Sequence, residues 1–271
     1  MSIDKGHCKH GEFILTAGCP QCIAERQAGQ IGLEPAPELI GVQLAEEADI
    51  VEAEEEDESY RAPYNASYHA PYHLQDGTFV PGVTTVLSIL DKGGLTHWAW
   101  ELGRQGLDYR EVRDAAGRVG TITHDLIACH LNKRGVGLAG YPPEEIEKAE
   151  KCFAKYLTWE KKNPVTPVMI ETPLVSEEYR YGGMPDLLAE LDGEFVLLDF
   201  KTGGGIYKSY FYQVAAYRKL LEEQGWPVAN ARILRISADD SEYEVAMQLD
   251  FDRDWQIFRH CLEIYRLKDK G

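Results

Sequence analysis

The chain has 271 residues, 44% of them hydrophobic and 10% aromatic, which is enough apolar material for a real core in one large domain or two smaller ones. It has no run of the roughly 18 apolar residues that a membrane span needs, and Met1 to His10 is polar, so a cytoplasmic protein with no membrane partner is expected. The formal net charge of -17 weighs against a phosphate-rich partner. The charge is uneven, however: Leu44 to Ser59 carries nine acids and no basic residue, and carboxylates that hold a cation count as negative until it arrives.

The first zone, residues 1–26, holds Cys8-Lys9-His10 and Cys19-Pro20-Gln21-Cys22. Thiolates and an imidazole at this spacing suit tetrahedral Zn²⁺, with Cys8, His10, Cys19 and Cys22 as ligands and His7 as a rival to His10. A module this short buries no core of its own, so a metal would supply its stability. The bland alternative is a tail of reduced thiols. Residues 27–59 mix Gly, Pro and acid and read as an acidic flexible linker. Cys129, Cys152 and Cys261 are scattered and read as reduced core residues.

From Tyr60 to Gly271 the composition is globular. Val83 to Leu90 is a strand or a helix start. Leu95 to Gln105, Gly117 to Asn132 and Glu144 to Lys162 have helical spacing, and Pro142-Pro143 opens the last of these. The period then changes to that of strands at Val168 to Val175, Gly183 to Leu191 and Glu194 to Phe200, with a tight turn at Gly193. Ser209 to Gln224 is an amphipathic helix, Ala231 to Ile236 and Glu244 to Leu249 are strands, and Asp252 to Lys268 is a closing helix. This order predicts an α/β fold with a mixed central sheet flanked by helices.

The chemistry concentrates in Gly183-Met184-Pro185-Asp186 and Val196-Leu197-Leu198-Asp199-Phe200-Lys201. On a strand Asp199 and Lys201 share a face. A hairpin through Gly193 would bring Asp186 beside Asp199. Two carboxylates and an ammonium at one point suit hydrolysis of a phosphodiester: carboxylates hold Mg²⁺, and a lysine orients water or stabilises developing charge. An isolated Asp-x-Lys is common; the apolar run before it and the upstream Pro-Asp are what make this one informative.

These residues resemble the PD-(D/E)xK nuclease superfamily, in its RecB-like and phage-exonuclease branch. Pro185-Asp186 matches the PD element and Asp199-Phe200-Lys201 the (D/E)xK element. Gly120-Thr121-Ile122-Thr123-His124 is similar to that branch's Gly-x-x-x-His helix motif, and Gln213-Val214-Ala215-Ala216-Tyr217 to its Gln-x-x-x-Tyr motif. The resemblance spans Tyr60 to the C-terminus. It implies a restriction-endonuclease-like core and a Mg²⁺- or Mn²⁺-dependent deoxyribonuclease, acting on DNA ends in recombination, repair or phage DNA processing. It implies His124, Asp186, Asp199 and the Phe200 carbonyl as metal ligands and Lys201 as the group that positions water. It also implies an acid at Glu171, and contact of Gln213 and Tyr217 with the active site or DNA. Taken without the family, His124 is an ordinary core or surface histidine and Gln213 with Tyr217 a core-edge hydrogen bond. Some similar nucleases carry an iron-sulfur cluster, but Cys261 alone does not provide the C-terminal cysteine group such a cluster needs. A recombination or replication protein is the expected partner of the N-terminal module. The alternative function is a DNA-binding or recombination-partner subunit that keeps the fold without cleaving.

Overall fold

The computed structural model describes residues 5–8, 11–14, 71–90 and 93–269. The chain divides into two units, Met1–Ala62 and Pro63–Gly271. In the first, strands β1 (Lys5–Cys8) and β2 (Gly11–Ile14) pair antiparallel, with Cys8 opposite Gly11. His10, Cys19, Cys22 and the acidic stretch before Tyr60 lie outside the described residues.

The second unit begins with the short ribbon β3 (Tyr72–His73) and β4 (Phe79–Val80). Val83 to Leu90, ambiguous from sequence, forms the short helix α1 (Val83–Leu87), whose Val83, Val86 and Leu87 are buried. Helix α2 (Gly93–Arg104) follows. Helix α3 (Tyr109–Leu131) starts well before Gly117 because Asp108 caps it, its carboxylate accepting from the Arg110 N–H at 2.8 Å. Helix α4 (Pro143–Glu160) opens with a proline at N1, where a missing N–H costs nothing, and with Glu144 and Glu145 against the positive end of the helix dipole. Glu145 is buried and takes two hydrogen bonds from the Arg118 guanidinium at 2.8 and 2.6 Å. With His130 to Glu160 at 2.8 Å near the other end, this pair sets α3 and α4 running in the same direction.

The strand region corrects the sequence reading. Val168 to Val175 is two elements, β5 (Thr166–Ile170) and β6 (Leu174–Ser176), and Gly183 to Leu191 is likewise divided between β7 (Tyr181–Gly183) and β8 (Leu187–Leu191). Pro173 and Pro185 mark the breaks: neither has an N–H to offer a ladder. Strands β6 and β7 pair as a separate ribbon. Strand β9 (Glu194–Lys201) follows β8 through Asp192 and Gly193, both at positive φ (53° and 83°), as a two-residue hairpin turn of the primed type requires.

Helix α5 (Lys208–Glu223) crosses from β9 to its parallel neighbour β10 (Val228–Arg235), and β11 (Glu244–Gln248) returns antiparallel at the edge. Helix α6 (Asp252–Asp269) closes the unit. The sheet order is β11-β10-β9-β8-β5, a mixed five-stranded sheet flanked by helices. On one face Val196, Leu198 and Phe200 pack with Ile127 of α3 and Tyr156 and Trp159 of α4. Alternation along β9 therefore turns Leu197, Asp199 and Lys201 to the other face.

Gly183 lies where β7 passes beneath α5, and a Cβ there would meet the Tyr217 ring at 2.6 Å and Leu220 at 3.0 Å. Both neighbours are buried and have little room to retreat. Gly183→Ala is expected to cost about 1–3 kcal/mol by overpacking, read as a lower urea midpoint with an unchanged slope. A variant as stable as the wild type would show that α5 is free to shift.

Candidate active site

The geometry starts from register. Leu187 pairs with Leu198 across β8 and β9, so the next residue back, Asp186, falls opposite Asp199. Ile170 pairs with Leu187 across β5 and β8, so Glu171 falls opposite Asp186, and the Glu171 N–H donates to the Asp186 carbonyl at 3.0 Å. Three carboxylates thus form a row across the ends of three adjacent strands. Glu171 and Asp186 each stand one residue outside the strands on which the sequence reading placed them. Glu171 turns out of its strand at φ 40°, a left-handed conformation that costs a non-glycine residue roughly 1–2 kcal/mol. Burial pushes its carboxyl above the usual range, with a further upward push from the Asp186 charge and an opposing pull from His124.

Asp186 is held at both oxygens. Oδ2 accepts from the Phe200 N–H at 2.7 Å, and Oδ1 lies 3.5 Å from His124 Nδ1. In an extended strand the N–H and C=O of one residue point to the same edge, so the Phe200 carbonyl also points past the end of β8, toward Asp186. His124 comes from the middle of α3, packs edge-on against the Phe200 ring at 6.0 Å, and has Glu171 Oε1 at 4.0 Å. The structure therefore brings His124, Glu171, Asp186 and the Phe200 backbone together.

Asp199 is fully buried, and its carboxyl is pushed up to about 6 by burial, against the favourable charge of Lys201. The Lys201 ammonium sits 2.6 Å from Asp199 Oδ2 as a buried ion pair, and Asp199 Oδ1 has no hydrogen-bond partner. Burial works against the Lys201 charge, yet the Asp199 and Asp186 carboxylates outweigh it and hold the ammonium above its usual range. The same ammonium lies 4.9 Å from the Tyr210 ring. Lys201 thus stands between Asp199 and a cavity of about 350 Å³ that Lys201 lines and Asp199 does not.

Gln213 and Tyr217 also line that cavity, and Gln213 Nε2 donates to the Tyr217 hydroxyl at 2.9 Å. The core-edge hydrogen bond is present, and both side chains reach the cavity. Sequence reasoning passed over Asp125, which lines the cavity beside His124 and whose carboxyl burial pushes up to about 6. Tyr210 lines the cavity as well, and Tyr210, Gln213 and Tyr217 have the spacing of one helix face.

Among the described residues no three His, Cys, Asp or Glu side chains converge as a closed metal cage. Mg²⁺ does not require one: it is held by one or two carboxylates together with water and substrate phosphate. The Asp186 carboxylate, which lines the cavity, and Asp199 Oδ1, which has no hydrogen-bond partner, are the oxygens that fit that demand.

The fold and the site define a mixed α/β protein with a row of strand-end carboxylates, a lysine and a histidine at one cavity. No family model and no curated protein matches the chain. Among solved structures, a chain described as "Putative exonuclease" from Eubacterium rectale is similar at a TM-score of 0.39 and 12% identity, over 57% of this chain and 65% of that one. This chain therefore spans less than two thirds of that structure's length. The likeness is too slight to carry an argument, and the site is read from its own geometry.

The Asp199 carboxyl has a direct consequence for stability. Its pKa in the fold, about 6, lies above its ordinary 3.8, so the fold binds this proton more tightly than the unfolded chain does. The resulting stability is fully present below pH 3.8 and is lost as pH rises through about 6. Asp199→Asn, which keeps the shape without the charge, is expected to melt on the order of 5 °C higher than wild type at pH 8 in EDTA. The gap should close as pH falls below about 6. A gap that does not change with pH would show that Asp199 ionises freely.

Proposed function

We propose that this chain is a divalent-cation-dependent nuclease of the PD-(D/E)xK type, hydrolysing DNA phosphodiester bonds. The observation that carries the reading is the row Glu171, Asp186, Asp199 set by strand register, with Lys201 and His124 at the same cavity. The choice of DNA as substrate, and of ends over internal bonds, comes from the resemblance to the RecB-like and phage-exonuclease branch.

In this reading Asp186, Asp199, His124 and the Phe200 carbonyl hold Mg²⁺ or Mn²⁺. When bound, such a cation lowers the pKa of a water and neutralises charge on the phosphoryl oxygens. Phe200 N–H keeps Asp186 aimed by holding its second oxygen. Lys201 orients the attacking water and faces the phosphoryl oxygens as they gain charge. Glu171, with its raised pKa, holds or releases a proton at the cavity wall. Gln213 and Tyr217 fix the wall opposite through their mutual hydrogen bond.

One observation favours the second reading, a nucleic-acid-binding subunit that does not cleave: Asp199 lies beneath Lys201 rather than at the cavity surface. The two readings separate in one assay. The nuclease reading expects linear DNA to be degraded in Mg²⁺ or Mn²⁺ and spared in EDTA, with Asp186→Ala, Asp199→Ala and Lys201→Ala each lowering the rate by at least ~100-fold, as loss of an electrostatic catalytic group does. DNA binding without cleavage in either metal would establish the second reading.

For the N-terminal segment the proposal is one Zn²⁺ held by Cys8, His10, Cys19 and Cys22, with a recombination or replication protein as the partner of that module. Elemental analysis is expected to find about one zinc per chain, as one tetrahedral site requires. Cys19→Ser with Cys22→Ser should remove that zinc and spare Mg²⁺-dependent cleavage. Iron in place of zinc would identify a cluster and refute the ligand set.

A further inference from the structure

Between β9 and α5 the chain reads Thr202-Gly203-Gly204-Gly205-Ile206-Tyr207-Lys208. The three glycines are not demanded by the backbone, since none of them adopts positive φ. They are not demanded by packing either. A Cβ at Gly204 would meet nothing within 4 Å, one at Gly203 would touch the Tyr210 hydroxyl at 3.9 Å, and one at Gly205 would touch the outer edge of the Tyr207 ring at 3.8 Å. What the missing side chains leave clear is the approach to two aromatic rings. A glycine run of this kind lets another molecule come close.

The two rings form a path from solvent to the cavity. Tyr207 is 56% exposed, which frees a ring face for a ligand. Its ring stands edge-on to Tyr210 at 5.5 Å, Tyr210 lines the cavity, and the Tyr210 ring carries the Lys201 ammonium at 4.9 Å. The loop is anchored rather than loose: Arg235, buried at the end of β10, donates from Nε to the Gly203 carbonyl at 2.9 Å and from Nη2 to Asp239 at 2.7 Å. Next to Tyr207, Lys208 is exposed at the start of α5, and the first turn of that helix contains no acid. In a chain with net charge -17, a rim with a cation and an open aromatic face stands out.

We infer that Tyr207 is a stacking platform for an unpaired nucleobase of the strand whose phosphate enters the cavity, with Lys208 on the adjoining phosphate. This rests on the nuclease reading and adds to it the form of the substrate: a single-stranded or frayed end. Aromatic rings take any base by its π-face, so the platform is indifferent to sequence. Base and phosphate are then gripped by different parts of one rim.

The test uses the full chain and a fluorescein-labelled single-stranded oligonucleotide, with binding read by anisotropy in EDTA. Tyr207→Ala is expected to weaken binding about tenfold, as loss of one base-stacking ring does, and Tyr207→Phe to restore it. An oligonucleotide with an abasic end should bind wild type and Tyr207→Ala alike. In Mn²⁺, hydrolysis of bis(p-nitrophenyl) phosphate, a diester without bases, should be equal in wild type and Tyr207→Ala, while cleavage of the oligonucleotide should show a raised KM. Equal oligonucleotide binding by wild type and Tyr207→Ala overturns the platform, as does an equal loss on the baseless diester. Binding through Tyr207 without cleavage of either substrate would overturn the nuclease reading and leave the platform standing.

Discussion

Everything at the cavity depends on a two-residue turn. Asp192 and Gly193 close the β8–β9 hairpin with both residues at positive φ, and that turn fixes which residues of the two strands face each other. Counting outward from it, Asp186 meets Asp199. A turn one residue longer would slip the register and send every side chain of β9 to the opposite face. Lys201 and Asp199 would then enter the core against Tyr156 and Trp159, and Phe200 would take the place of the Asp199 carboxylate. The catalytic-looking pair is thus a consequence of backbone geometry at a glycine some distance from it.

The second constraint is electrostatic. A carboxylate as deeply buried as Asp199 is costly without a cation, and a deeply placed ammonium is costly without an anion. Each reduces the cost of the other, but Asp199 Oδ1 is left without a hydrogen bond, so the compensation is incomplete. The positive φ of Glu171 adds a local strain just past the end of β5. Stability has been given up here at one end of a sheet whose remaining rows are apolar and closely packed.

Much of this was legible in the sequence. Periodicity located α2, α4, α5, α6, β9, β10 and β11 to within a few residues, because each has a continuous apolar face and no internal proline. Asp186, Asp199 and Lys201 were singled out because their spacing implied strand alternation and a hairpin, and His124 because its helix resembles a family motif. The divisions at Pro173 and Pro185 were passed over because the apolar pattern runs on through both. The early start of α3 was hidden by the polar, exposed character of its first turns. Asp125 gave no signal, since burial rather than spacing sets its chemistry. Nor did the pattern show that Lys201 rather than Asp199 meets the cavity: side-chain length decides that, and alternation only assigns a face. The Cys8, His10, Cys19, Cys22 set lies outside what the structure describes beyond the strand ending at Cys8.

The contrast between the two ways in which β9 is paired has a kinetic side. The hairpin to β8 closes a loop of two residues and forms on the microsecond scale typical of hairpins. The parallel pairing to β10 requires α5 to be laid down and folded back first, a non-local contact that forms slowly. Pairing of β8 with β9 therefore needs no part of α5, whereas the wall of Tyr210, Gln213 and Tyr217 needs that helix in place. A hairpin without α5 against it would leave its carboxylates to water and would not bear the burial cost of Asp199. That cost is borne only once α5 is docked, so the helix that completes the cavity wall is also the one whose packing must offset it.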